Sequence, residues 1–326
     1  MRIKLSLTML FAALLFCGAA GAAEEWKPSR IEIVIPHDVG SSQDLTTRVV
    51  GKYWTKYMPG VQLIFTNKGQ SNGRLGYDQF QRAARDGTTI LSCNLQSAAA
   101  AYASQKPAWK WEETIYPLDT YDLDLTIVQV RQDSPFQSFA ELIEKSKTQP
   151  ITAGTAKQGT TDTLILYQIM DLTGAKFEVI PLGGGGGVRA ALLGGHVDFT
   201  MRRASDLKVD GGQIRVLAVS SPDGNPIEHL TGKVPTINEV VGQPTLNASG
   251  YRAFAVHPEL LSEYPERYRI LMDTLAKVKK DPDFIADATR VGCELIVDTD
   301  PEFITRMVQE IIEIDAKYAK AYKQGM

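Results

Sequence analysis

IEIVIPHDVGSSQDLTTRVVGKYWTKY, residues 31–57, decides the fold. Residues 31–35 are mostly β-branched and apolar, the composition of a short strand, and Pro36 closes it. Leu45, Val49 and Tyr53 then recur at every fourth position, which predicts a helix over 44–57. Ser41 and Asp44 have the spacing of a capping box, which fixes where that helix starts. Strand, loop and helix make one βα unit, and the chain goes on to repeat it.

Further strands are expected at 61–66, 88–93, 125–130, 151–153, 177–180, 197–201 and 214–219. Helices are expected near 138–147, 161–172, 188–193, 264–279 and 301–318, with another ending near Arg85. Such alternation reads as an α/β protein with largely parallel sheets. A Trp- and Pro-containing connection at 107–117 and a Pro- and Gly-rich linker at 220–235 interrupt it.

Residues 1–23 have the three parts of a secretory signal peptide. Arg2 and Lys4 come first, an apolar stretch follows at 5–16, and small residues fill 18–23 up to a cut after Ala22 or Ala23. The apolar stretch is too short to span a bilayer, and charges interrupt every later apolar run, so no membrane insertion is expected once the leader is removed. Cys17 offers lipidation as an alternative, against which stands the bulky Phe16 before it.

The chain carries 35 Lys and Arg against 38 Asp and Glu, a formal net charge of −3. This balance argues against nucleic acid as a partner. Beyond the leader only Cys93 and Cys293 remain, so there is no disulfide framework. They could pair in an oxidising compartment, or sit as two separately buried thiols, which is the preferred reading.

Three loops share one design: 37–43, 154–160 and the glycine run 183–187 each follow a strand and open a helix. The first amides of a helix lack internal partners and carry partial positive charge, so such loops suit carboxylates. Taken singly, each is equally an ordinary βα turn. The glycine run lacks the Lys-Ser/Thr pair of a phosphate loop and the acidic residue of a dinucleotide site, so no cofactor is expected. His37, His196, His229 and His257 share no metal-like spacing, and no nucleophile–base motif is present. Arg202 and Arg203 end the strand 197–201; alternation sends them to opposite faces, so at most one is expected in a cleft, as a fork donor to a carboxylate.

The segments 33–48, 67–76 with Asp86-Gly87, 154–160, and 181–198 ending in Leu-Leu-Gly-Gly-His-Val-Asp resemble the Bug-type (TctC) extracytoplasmic receptors of tripartite tricarboxylate transporters. Residues 214–219 and 234–236 match later landmarks of that family. The resemblance implies a two-lobed periplasmic-binding-protein fold of venus-flytrap type II, with a ligand cleft between the lobes. One lobe would comprise 24–125 plus 223–326, the other 126–222. It further implies a non-enzymatic periplasmic receptor that captures a di- or tricarboxylate or an aromatic acid, and docks on membrane permease subunits. By matching, Gly40, Ser41, Ser42 and Gln43 would lie against one ligand carboxylate. Asn94, Thr155, Gly159 and Thr160 would face the cleft, and Arg202 would hold a distal anionic group. Departures include Asp38-Val39-Gly40-Ser41 for Pro-Pro-Gly-Gly, Thr163 for a His, Leu182-Gly183 for Tyr-Lys, and Arg202 for an acid. The competing readings are an extracytoplasmic hydrolase with His37 as base, and a ligand-presenting partner of a sensor kinase.

Overall fold

A computed structural model describes residues 26–210, 212–297 and 301–324; the leader and Cys17 lie outside the described residues. The chain opens with β1 (Arg30–Ile35), α1 (Ser42–Tyr57), β2 (Gln62–Asn67), α2 (Arg74–Gln81), β3 (Thr89–Asn94), α3 (Leu95–Gln105) and β4 (Tyr116–Asp124). Next come β5 (Thr126–Arg131), α4 (Phe139–Ser146), β6 (Ile151–Thr155), α5 (Thr161–Thr173), β7 (Phe177–Pro181), α6 (Gly185–Leu193) and β8 (Phe199–Arg203). After β8 follow α7 (Leu207–Asp210), β9 (Ile214–Ser220), α8 (Glu228–Thr231), α9 (Ile237–Val241) and β10 (Gly250–Val256). Helices α10 (Glu259–Glu263), α11 (Pro265–Lys279), α12 (Pro282–Arg290) and α13 (Pro301–Gln324) end it.

Two five-stranded sheets result, ordered β2-β1-β3-β10-β4 and β7-β6-β8-β5-β9. Both are mixed, which corrects the expectation of largely parallel sheets. In the first, β1 pairs parallel with β2 and β3 while β10 runs antiparallel to β3 and β4. In the second, β6 pairs parallel with β7 and β8 while β5 runs antiparallel to β8 and β9. The cause is the crossover. β4 passes into β5 through Leu125 alone, so β5 enters the second sheet from the first and meets strands built by βα units head-on.

Helix α1 exists where the periodicity places it, but its inward face is shifted: of the three recurring positions Tyr53 is buried, Val49 packs half-buried on the core and Leu45 is exposed. Leu45 is exposed, while Gln43, Thr46, Thr47, Val50, Tyr53 and Trp54 are buried. Trp54 packs on Phe254 of β10 with ring centroids 5.1 Å apart, and its indole donates to Thr274 Oγ1 at 2.8 Å. On the first sheet, Ile31, Ile33 and Ile35 face this layer, while Val34 faces the opposite core with Leu91 and Cys93. Cys93 and Cys293 are both buried and unbonded.

The chain between β9 and β10 packs beside the second sheet, not the first. Helix α9 is seated against α4, α5 and β9. The amide of Leu246 donates to Gln168 Oε1 at 2.6 Å, and that of Ala248 to Ser220 Oγ at 3.1 Å. The boundary read at 223 therefore differs from the packing of 223–249.

A buried ion cluster sits at the crossover. Arg252 of β10 pairs through Nη1 with Asp122 and through Nη2 with Asp124 Oδ2 at 2.6 Å, and all three side chains are nearly sealed from solvent. Nη2 also donates to Ser42 Oγ at 3.1 Å, at the start of α1. Asp124 accepts from the amide and hydroxyl of Ser205, just past β8, at 3.1 and 2.6 Å. Burial pushes Asp122 up to about 7, against the pull of Arg252 and with the help of Asp124, because one guanidinium cannot neutralise two carboxylates.

Arg252→Met leaves both acids buried without a counter-charge and should lower the unfolding free energy by about 3–5 kcal/mol in urea titrations. Asp122 also has a pH signature. Its folded pKa lies above the unfolded value of 3.8, so its contribution to stability is complete below about pH 4 and is lost as pH rises to about 7. Within that window the slope reaches up to about 1.4 kcal/mol per pH unit. Asp122→Asn should remove that slope from a series of melts between pH 4 and 8.

Candidate functional site

The carboxyl ends of β1, β2, β3, β6 and β7 and the end of β8 face one another across a cavity of about 240 Å³. Open α/β sheets bind ligands at such strand ends. His37, Asn72 and three residues of α3, namely Ser97, Ala100 and Ala101, form one wall. The opposite wall comes from the second-sheet side: the β6–α5 loop from Ala156 to Asp162, Gly185 and Val188 of α6, and the end of β8.

Two helices start at this space without a side-chain cap. Thr160 is the N-cap of α5, yet its hydroxyl is turned away, donating to Lys157 O at 2.8 Å, so no side chain closes the α5 amides. Gly184 caps α6 and has no side chain to offer. Both ends keep free donors and the positive pole of the helix.

The five glycines differ in role. Gly183 and Gly184 have φ of +78° and +140°, conformations costly for other residues. A Cβ on Gly187 would lie 2.1 Å from Leu182 O, so only glycine lets α6 start against that turn. Gly186 has nothing within 4 Å of its Cβ position. Helix α6 accordingly begins inside the run, three residues before the expected start at 188.

Both arginines at the end of β8 line the cavity, which corrects the expectation that alternation admits only one. Alternation ends with the strand: Arg203 is the last residue of β8 and the N-cap of a 3-10 turn. Arg203 Nη1 donates to Thr126 Oγ1 at 2.6 Å and Ala248 O at 2.5 Å, which ties it to the crossover. Arg202 Nη2 pairs with Asp206 Oδ2 at 2.6 Å, with only 10% of the Arg202 side chain exposed. Its Nη1 is enclosed and has no hydrogen-bond partner among the described residues.

The first loop contributes less than expected, because its own chain uses its donors. The Gly40 amide donates to Asp44 Oδ2 at 2.9 Å and the Ser41 amide to Asp38 O at 3.2 Å. Ser41 Oγ accepts from the Asp44 amide, so the capping-box spacing yields only the forward half of the box. Burial alone would raise the Asp44 carboxyl, but the Gly40 amide, Asn67 and Arg48 hold it below the usual range. Ser42 is engaged by Arg252. Gln43 points into the core, its amide donating to Ser92 Oγ at 2.9 Å and Tyr121 Oη at 3.0 Å.

Of the nine expected site residues, Gly159, Thr160 and Arg202 therefore line the main cavity, and Ser41 lines an adjoining smaller one. Gly40, Ser42, Gln43, Asn94 and Thr155 line neither. Asn94 is spent as the N-cap of α3, accepting from the Ser97 amide at 3.0 Å, and Thr155 is fully buried at the end of β6. The sequence reading held Arg203 only as an alternative to Arg202, and it missed Asp162 and the α3 residues. His37 Nε2 is enclosed without a partner, and burial, then nearby Arg252, push the imidazole down to about 4 against the pull of Asp38. Among the described residues no group of three or more His, Cys, Asp or Glu is placed to hold a metal ion.

Two mixed α/β sheets joined by a strand crossover, with uncapped helix starts and arginines enclosing the space between them, define a two-lobed solute-binding protein. The chain belongs to the tripartite tricarboxylate transporter family of receptors, TctC, whose pattern matches residues 47–316. It is 27% identical over 262 residues to protein BugT of Bordetella pertussis, covering 76% of this chain and 78% of that one. A TctC solute-binding protein from Polaromonas superposes with a TM-score of 0.72 at 22% identity, covering 89% of this chain and 99% of that one. An R. palustris protein solved with adipate gives 0.70 at 20% identity, over 91% and 98%. No helix among the described residues is long and apolar enough to cross a membrane.

Gly187→Ala should force α6 off the Leu182 turn and lower stability by about 1–3 kcal/mol. Gly186→Ala, placed in open space within the helix, should raise it by up to about 1 kcal/mol. Paired thermal melts of the two variants check both signs.

Proposed function

We propose that this protein is a periplasmic receptor that captures an organic carboxylate by binding and lobe closure, without chemistry, and delivers it to the membrane permease of its transporter. The observation that carries the reading is Arg202, whose side chain lines the same cavity as the uncapped starts of α5 and α6 and whose enclosed Nη1 has no partner among the described residues. Buried donors left unpaired are costly, and a carboxylate supplies what they lack. The adipate seen in the R. palustris relative supports this class of ligand.

The primary carboxylate rests on the second-lobe side, on Thr160, Thr161 and Gly185 with Arg202, because the first-loop amides are occupied by Asp38 and Asp44. The lobes divide at the crossover, residues 126–249 forming one and the remainder the other, with α13 laid against both α3 and α5. Against a hydrolase stands His37: an imidazole held near 4, with no nucleophile on its Nε2, is poorly matched to general-base work at neutral pH.

Calorimetry against linear mono- and dicarboxylates should give micromolar or tighter binding for at least one, and Arg202→Ala should weaken every carboxylate at least about tenfold, the loss of ~1.4 kcal/mol. No binding by any of them, or an unchanged affinity in the variant, would overturn the assignment.

A further inference from the structure

Between α12 and α13 the chain runs along the seam of the two lobes as a strap, residues 291–297. Its side chains go both ways. Cys293 and Ile296 sit in the first-sheet core with Tyr121 and Phe254, while Leu295 packs into a smaller core with Leu125, Ile127, Ala204 and Val219. Two bonds anchor the strap to β4: the Leu123 amide donates to Leu295 O at 2.8 Å, and Thr120 Oγ1 to Val297 O at 3.3 Å. Its other edge meets the turn after β8. Gly292 has a φ of +94°, and a Cβ there would lie 2.7 Å from Ser205 Cβ, so only glycine permits the approach. Two residues on, the Glu294 side chain is only 10% exposed, with Lys208 Nζ 2.5 Å from its Oε1 and His229 Nε2 3.3 Å from its Oε2. Lys208 also donates to Thr289 O at the end of α12. Lys208 of α7 and His229 of α8 belong to the second lobe, whereas Thr289 and Glu294 belong to the first.

We infer that this strap is a latch between the lobes: Lys208, Glu294 and His229 hold the arrangement that encloses the cavity. The inference rests on the receptor reading above and adds to it the group that sets how long the closed form lasts. The lobes meet at the mouth of the cavity, where a Cβ on Gly159 of the second lobe would lie 3.2 Å from Ser104 Cβ of α3. One short turn links the latch to the site. Arg202 pairs with Asp206 there, Ser205 bonds Asp124 and packs on Gly292, and Lys208 ends it on Glu294. Cys293 and Ile296 keep the strap with the first lobe, so turning the second lobe away carries Lys208 and His229 off Glu294. An ion pair made in one arrangement and broken in the other shifts the population toward the first. Because Glu294 is largely shielded from water, salt screens this contact less than an open surface pair. The latch touches no ligand, so it adds the same free energy to the binding of every carboxylate that the closed form accepts. A group in the cavity would instead discriminate between them.

The test compares the wild type with Glu294→Gln, Lys208→Gln, and the charge exchange that joins Lys208→Glu to Glu294→Lys. Dissociation constants and off-rates are measured for succinate, adipate and butyrate, and small-angle X-ray scattering gives the radius of gyration of the ligand-free chain. Each single variant should bind every acid about threefold more weakly, through a faster off-rate, and should scatter as a more open particle. The charge exchange should restore about half or more of each loss, which a folding defect would not. Unchanged affinity, losses that differ between the acids, or no recovery in the exchange would overturn the latch and leave the carboxylate receptor standing. If no acid binds the wild type, the receptor reading falls and scattering alone decides the latch. An opening in Glu294→Gln that the exchange reverses then upholds it, and equal radii sink it.

Discussion

One guanidinium shared by two buried carboxylates holds the two halves of this molecule in register. Arg252 reaches Asp122, Asp124 and Ser42, and Asp124 reaches Ser205. The start of α1, the crossover strand and the turn after β8 therefore meet at one group. Ser205 follows Arg202 and Arg203 by only a few residues, so the position of the cavity arginines is set by charge chemistry at the crossover. Removing ions of this kind from water is expensive, and the cluster holds only because each carboxylate has a close partner.

The βα units were legible from residues 31–57 because a strand and a helix there each bury apolar groups with their own period. The inward face of α1 was not. Thr46, Thr47 and Gln43 are buried because Ser92 and Tyr121 present a polar surface to them, so a count of apolar residues selected the exposed Leu45. Helix α3 escaped for a related reason: Ala98 to Ala101 are all buried, and a helix enclosed on every side shows no period, although Asn94 marks its start. Strands β4 and β10 carry Asp122, Asp124 and Arg252, buried charges that argue against strands until they are seen to pair with one another.

At the site, residues of all three expected loops line one cavity, but the first loop uses its own donors. Ser41 and Asp44 are signals of a well-capped helix, and a well-capped helix has already satisfied the amides a ligand would want. The starts of α5 and α6 lack such a side-chain cap. In the glycine run, Gly183 and Gly184 supply positive φ and Gly187 the close approach to Leu182.

The two cysteines carry a last consequence. Cys93 lies against the core that includes α3, and Cys293 in the layer beneath Trp54, so no single shift joins them. Burial pushes the Cys93 thiol up to about 12 and Cys293 well above its ordinary value. Thiolate is the species that oxidants and disulfide-exchange catalysts attack, and at neutral pH these sulfurs supply almost none. In the folded chain both thiols are therefore protonated at neutral pH and shielded by the core, poor targets for oxidation.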